Sequence, residues 1–258
     1  MHKLVLGLAV CTLWAMTQGV ALAASGKALG VDPAAETRRQ ADTLRLTVGS
    51  DIFIGDRVVT GASGQVQIKF DDTTELVVGP SSALLIEDYL LREDGSAGKL
   101  ALNALAGTFR FVTGGAPKDR YTIKTPTATI GVRGTAFELY VTQLWTYIMM
   151  QHGSVIGTNS AGDKSMVLDA VCEVGQISTG DAIVVGDADR VTGADRARLR
   201  QIFIYAANQR PLLREFRISG AERCLNRPAG GEGGGSLIEP GIEVTPTPTT
   251  NGRAKPGQ

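Results

Sequence analysis

Residues 121–140 read Tyr121-Thr-Ile-Lys-Thr-Pro126-Thr-Ala-Thr-Ile-Gly131-Val-Arg133-Gly134-Thr-Ala-Phe137-Glu-Leu-Tyr140. Apolar and polar residues alternate before Pro126, and again on either side of the Gly131–Gly134 corner. That is the period of a half-buried strand. Pro126 cannot donate to a ladder, so it fits an edge or a bend. Two glycines three positions apart suit a corner that needs open backbone angles or a close approach by another segment. The stretch therefore reads as a strand that bends, presents one arginine and continues as a strand.

The same alternation extends outward in both directions. Leu44, Leu46 and Val48 are spaced by two, as are Val66, Ile68 and Phe70, then Leu76 and Val78, Leu84 and Ile86, Leu100 and Leu102, and Phe109 and Phe111. Turn-forming groups such as Gly61-Ala-Ser-Gly64, Gly79-Pro80, Asp94-Gly95 and Gly114-Gly115 recur about every ten residues. Further strands are expected over 144–150, 153–157, 165–171, 176–179 and 181–185. No helical period interrupts the chain between Leu44 and Thr179, which excludes a βαβ fold. The fold class is all-β: curved antiparallel sheets in a sandwich or roll, with a short C-terminal helix and a disordered tail.

Five segments follow. Residues 1–23 have a basic start, an apolar run and the small-residue site Ala21-Leu22-Ala23, the pattern of a secretory signal peptide. Residues 24–43 are expected to be a flexible leader, residues 44–186 the β domain, and residues 187–226 a helical cap. In the cap, Thr192-Gly-Ala-Asp195 marks a helix start, and Leu199, Ile202, Phe203 and Ala206 fall on one helical face. Leu212 to Ile218 reads as a second turn or two of helix. The cap is expected to pack across the end of the β domain. Residues 227–258, rich in Gly, Pro and Thr, lack the apolar residues for a core and are expected to be disordered. No stretch after the signal is long and apolar enough to span a bilayer. The location implied is the periplasm, or secretion beyond it.

Charge is balanced, with 26 basic and 26 acidic residues among 258, which argues against nucleic acid as the main partner. Two cysteines remain after the signal, Cys172 and Cys224. In an oxidising compartment they are a candidate disulfide, contributing about 4 kcal/mol by constraining the unfolded chain. Two thiols with no nearby histidine do not complete a metal shell.

The ordered motifs resemble the FecR domain family over about Gly55 to Gly180. They run from Gly55-Asp56-Arg-Val-Val-Thr60-Gly61, through Gln65-Val-Gln-Ile-Lys-Phe70-Asp-Asp-Thr-Thr-Glu-Leu76, Val78-Gly-Pro-Ser-Ser-Ala-Leu84-Leu-Ile86 and Leu105-Ala-Gly-Thr-Phe-Arg110, to Thr125-Pro-Thr-Ala-Thr-Ile-Gly-Val-Arg-Gly-Thr-Ala-Phe137, and close with Gln151-His-Gly-Ser-Val155 and Glu173-Val-Gly-Gln176. The resemblance implies a compact module of curved antiparallel sheets. Its namesake relays a signal from an outer-membrane transporter to a sigma factor. This chain is expected to depart from that plan, with no cytoplasmic segment before its apolar run and no secretin-like domain after the module. The expectation is a stand-alone exported module.

The family-motif residues Thr125, Pro126, Gly131, Val132, Arg133, Gly134, Thr135 and Phe137 are read as structural first and binding second. Arg133 offers a planar five-donor fork. It is expected to lock the corner onto backbone carbonyls or onto Glu87, Asp88 or Asp56; the other reading is a ligand for an anion or carboxylate. His152 reads as a turn or surface residue, and Asp56 and Asp71-Asp72 as solvated turns rather than calcium ligands. The run Leu144-Trp-Thr-Tyr-Ile-Met-Met150 reads as a strand buried on both faces, between core and cap. No Gly-x-Ser-x-Gly elbow, His-Glu-x-x-His pair or phosphate loop occurs, so neither an enzyme nor a cofactor is expected. The function expected is a non-catalytic protein-binding or signal-relay module of the bacterial envelope, partnered by an envelope protein such as an outer-membrane transporter or adhesin. The alternative is a cell-wall glycan-binding protein that engages peptidoglycan.

Overall fold

The structure, a computed structural model, describes residues 24–91, 97–114 and 120–226. The expected signal peptide (1–23) and disordered tail (227–258) lie outside the described residues.

The described strands join a single mixed sheet, organised by three long strands: β9 (Ala97–Val112), β11 (Ala128–Val141) and β12 (Thr146–Asn159). Each changes neighbours part-way along. The first part of β9 pairs with β8 (Ala83–Leu91) and, in parallel, with β10 (Tyr121–Lys124). Its last part pairs with β7 (Glu75–Val78) and β11. β11 leaves β10 after Val132 and joins β9 from Ala136. β12 pairs with β14 (Glu173–Ile177) at its start and with β13 (Ser165–Leu168) near its end.

The three switches occur at glycines with left-handed backbone: Gly107 (φ 106°), Gly134 (φ 63°) and Gly153 (φ 81°). A β carbon on Gly153 would stand 2.1 Å from the Gly134 carbonyl oxygen, and one on Gly107 would stand 2.1 Å from Ser82 Oγ. The bulges in β11 and β12 therefore nest against each other, and only glycine allows that approach. Each bulge also flips the side-chain alternation. Ile130 and Val132 face the core before the β11 bulge, and Phe137 and Leu139 face it afterwards.

The bends fold the sheet over on itself. One half runs β13, β12, β11, β10, β9, β8, β5 (Arg57–Thr60), β2 (Ala35–Arg39) and β3 (Asp42–Leu46). The other runs β15 (Ala182–Asp187), β14, β12, β11, β9, β7, β6 (Gln65–Phe70), β1 (Gly26–Asp32) and β4 (Asp51–Ile52). Ile86, Leu102, Ile130 and Val155 from the first half share one core cluster with Ile68, Phe70, Phe109, Phe111 and Phe137 from the second. Each such buried side chain contributes about 2 kcal/mol.

The leader expected at 24–43 is not loose, because Gly26–Asp32 and Ala35–Arg39 are strands β1 and β2, paired to β6 and β5. One ion pair shows why. Arg39 Nε and Nη2 donate to the two Asp56 oxygens at 2.6 and 2.8 Å, and the guanidinium lies 4.0 Å from the Phe53 ring centroid. Asp56 is fully buried and also accepts the Phe53 N–H. Its charge needs a partner, and that partner comes from β2.

After β15 the chain forms a cap: α1 (Gly193–Ile202), α2 (Ile204–Ala207), a 3-10 turn at Arg214–Phe216 and α3 (Arg223–Asn226). Helix α1 starts where the sequence indicates, and Leu199, Ile202, Phe203 and Ala206 are buried together. Over Leu212 to Ile218 the only helical piece is the 3-10 turn: Pro211 lacks an N–H, and the Leu213 N–H is taken by Gln67. Cys172 and Cys224 form a disulfide across 52 positions and pin the cap to the sheet. Within β12, Tyr147 and Met149 join the cap cluster while Ile148 and Met150 join the core, so Thr146 to Met150 is buried on both faces as read; Leu144, 69% exposed, lies before the strand in the turn. Among the described residues, no helix is long and apolar enough to cross a membrane.

Candidate functional site

The two halves of the sheet have different outer faces: one is covered by the cap, the other is open to solvent.

On the covered half, one row of register partners crosses six strands: Gln67, Val77, Arg110, Glu138, Met149 and Val174. Apolar residues stand on either side of the middle of the row. Val77 packs with Tyr205, Leu212 and Phe216; Met149 and Val174 pack with Leu199, Ile202, Phe203 and Leu225. The middle is polar and buried. Arg110 is 1% exposed, and its guanidinium donates to Gln151 Oε1 (2.8 Å from Nη2) and Gln209 Oε1 (2.6 Å from Nη1). Glu138 is fully buried and accepts the Tyr205 and Ala206 backbone N–H groups at 2.8 Å each, which caps the start of α2. Burial pushes the Glu138 carboxyl up to about 7, against the opposing pull of Arg110 and the two N–H donors. Burial likewise lowers the Arg110 pKa, with Glu138 acting in the opposite direction.

On the open half, β10, β11, β12 and β13 present a registered patch. Lys124, Thr129, Thr158 and Ser165 form one row. Thr122, Gly131, Ile156 and Val167 form the next, and Arg133 opposite Ser154 begins a third. Their neighbours along each strand, among them Ile123, Ile130, Val132, Val155 and Leu168, face the core, so these side chains face out. Val167 is 51% exposed. A β carbon on Gly131 would have only the Ile156 carbonyl oxygen, at 3.9 Å, for company. The centre of the patch is thus a shallow dip with a hydroxyl-rich rim.

Arg133 belongs to this patch and does not lock the corner. It is exposed and makes no hydrogen bond or ion pair among the described residues. The carboxylates expected to hold it are engaged elsewhere: Asp56 with Arg39, Glu87 with Lys124 and Asn103, and Asp88 with Lys99. The corner is instead shaped by the paired glycines and by Thr113, whose hydroxyl accepts the Thr135 N–H while its own N–H donates to the Thr135 carbonyl.

The other motif residues are structural. Val132 and Phe137 are core, and Phe137 packs on Phe111 with ring centroids 5.6 Å apart. The Thr125 hydroxyl accepts the Ala128 N–H in the turn after Pro126 and meets Thr146 at 2.7 Å. The Asp72 carboxylate is buried, not solvated: it accepts the Tyr121 and Thr74 hydroxyls at 2.7 Å each. His152 is exposed, opposite Ala136. The sequence reading did not single out Arg110, Glu138 or Gln209. Arg110 between Phe109 and Phe111, and Glu138 between Phe137 and Leu139, show by alternation that both point away from the core, but not that a cap covers them.

The family model described as FecR protein matches residues 56–155, a shorter span than the motifs suggested. No curated protein matches the chain. Two crystal structures described as "a putative anti-sigma factor" from Parabacteroides distasonis are 13% and 14% identical, with TM-scores of 0.41 and 0.39; each match covers 52% of this chain and 61% of the other. The chain therefore spans about three fifths of the length of the solved structures it matches. The nested bends at Gly107, Gly134 and Gly153 fall inside the matched span, and residues 56–155 of this chain are a domain of the FecR protein family.

Proposed function

We propose that this chain is an exported, non-catalytic relay module of the bacterial envelope that docks another envelope protein on the open face of β10 to β13. The observation that carries the reading is Arg133: a charged side chain at the Gly131–Gly134 corner, inside the span that matches the FecR family model, exposed and unpaired among the described residues. A guanidinium that serves the fold is normally buried or paired, as Arg110 and Arg39 are here. A free one beside a dip lined by Ile156 and Val167 suits a protein partner that brings a carboxylate and a small apolar contact. Export rests on the apolar N-terminal run and its small-residue site, and on the oxidising compartment that a disulfide favours.

The test is in-cell photocrosslinking. A photoreactive residue at Thr129 or Thr158 should yield an adduct with an envelope protein, and one at Val48, an exposed position away from this face, should not. Arg133→Ala in the same cells should remove the adduct. Sedimentation of the purified chain with isolated peptidoglycan, together with no protein adduct, would favour the glycan-binding alternative and reject the relay.

A further inference from the structure

The cap meets β6 in a manner unlike a packed helix. Residues 211–215 run beside β6 in step with its outward side chains. Gln65 Nε2 donates to the Pro211 carbonyl at 3.0 Å, the Leu213 N–H donates to Gln67 Oε1 at 2.8 Å, and Lys69 Nζ reaches the Glu215 carboxylate at 3.1 Å. Every one of these pairs is separated by 146 positions, so the two segments advance together, two residues at a time. Leu212, between the first two polar contacts, and Phe216, just after the last, turn in and are buried with Val77 and Tyr205, against half-buried Leu29. Main-chain groups read by side-chain amides, two apolar anchors and one acid over a lysine are the parts of linear-peptide recognition. Here the ligand is the chain itself.

The contact has the physical marks of one that exchanges. No strand ladder joins residues 211–215 to β6; its outward amides, not its backbone, make the bonds. The flanking helices α2 and α3 have four residues each, too short to persist unsupported. The segment is tied on both sides, by α1 in the apolar cluster and by the Cys172–Cys224 bond, so it can lift as a loop without freeing the chain. The polar groups that β6 presents to it, Gln65, Gln67 and Lys69, are ones that water can satisfy.

We propose that the outer face of β6 and β7 is a recognition groove for an extended partner segment of the pattern Leu-x-x-Glu-Phe, which residues 212–216 of the chain occupy until such a segment displaces them. This groove is on the half of the sheet opposite the open face of β10 to β13, and neither proposal depends on the other.

A labelled synthetic peptide copying residues 208–219 tests the groove, titrated by fluorescence anisotropy into the full oxidised chain. In the wild type the tethered segment competes at an effective concentration on the order of millimolar, so binding is weak. Glu215→Lys sets two cations face to face at an exposed position and should tighten peptide binding at least about tenfold. Adding Gln67→Ala to that variant should abolish the gain, and a peptide with both anchor positions changed to alanine should not bind. Phe216→Ala, which empties an anchor site, is the second opening variant. No gain in either variant overturns the groove. A gain in either that appears only as dimerisation of the chain overturns it too, because the occupant is then the same segment of a second copy.

Discussion

Arg110 and Glu138 are register partners across β9 and β11, and Gln151 joins them: its Oε1 accepts from Arg110 and its Nε2 donates to Glu138 at 3.4 Å. The pair sits under the cap, and each member holds part of it, Arg110 through Gln209 and Glu138 through the Tyr205 and Ala206 amides. Two buried charges of opposite sign thus orient the C-terminal segment over the sheet. Such a network adds less to stability than its bonds suggest, because both groups lose water. Its effect is to fix one position for the cap over the middle of the sheet.

Glu138 makes that position depend on pH. Burial raises its pKa in the folded chain above the ordinary 4.5, to about 7. The folded chain therefore holds this proton more tightly than the unfolded chain. The resulting stability is complete below about pH 4.5 and is lost as pH rises through about 7. Glu138→Gln keeps an acceptor and removes the titration. Thermal melts at pH 5 and pH 8 should show the wild type losing about 5 °C relative to the variant at the higher pH. A constant difference would mean that the carboxylate is charged at both pH values.

The two arginines should behave in opposite ways. Arg110→Ala leaves Glu138, Gln151 and Gln209 without their buried cation and should cost about 3 kcal/mol in chemical denaturation. Arg133→Ala removes an exposed side chain with no partner among the described residues and should change stability by less than about 0.5 kcal/mol. A large loss from Arg133→Ala would restore the corner-locking role that its position in the motif first indicates.

That contrast also shows what the sequence makes legible. Alternation places Val66, Ile68, Phe109 and Phe111 inward, and helical spacing places Leu199 and Ile202 on a buried face, because each pattern is local. The leader strand β1 is missed because its core-facing residues, Gly26, Ala28 and Val31, do not keep a period of two: a bulge between Ala28 and Gly30 breaks the alternation, and the first two are too small to give an apolar signal. Strand β2, Ala-Glu-Thr-Arg-Arg, reads as polar coil until Arg39 meets Asp56 across 17 positions. Which arginine is buried depends on Gln209, 99 positions from Arg110. The open face is invisible for a similar reason: Thr129, Thr158 and Ser165 become one row only when the register of three strands is known.

Reducing the disulfide separates cap from domain. The loop it closes spans 52 positions, so its loss should cost about 4 kcal/mol through the unfolded chain. Because Cys224 lies in the cap and Cys172 in the turn just before β14, the folded chain should loosen first at the cap. Hydrogen exchange after reduction should speed up at the Tyr205, Ala206 and Leu213 amides before it does at Phe109 or Phe137 in the core. Uniform acceleration would mean that the cap and the sheet open as one unit.

Two glycines of the same bent region separate backbone necessity from open space. Gly153 has φ 81°, and a β carbon there would overlap the Gly134 carbonyl at 2.1 Å, with the Thr135 α carbon at 2.9 Å. Both close atoms belong to the backbone of the nested bulge, so neither can move aside alone. Gly153→Ala should cost at least about 2 kcal/mol and loosen the switch of β11 from β10 to β9. Gly131 has no left-handed backbone and nothing nearer than 3.9 Å. Gly131→Ala should leave stability within about 0.5 kcal/mol of the wild type, yet it fills the dip between Ile156 and Thr122 on the open face. If that dip receives a partner's side chain, Gly131→Ala should weaken the crosslink from Thr129 without changing the melt. Equal destabilisation by the two substitutions would make Gly131 a second structural hinge and leave the open face without a glycine reserved for binding.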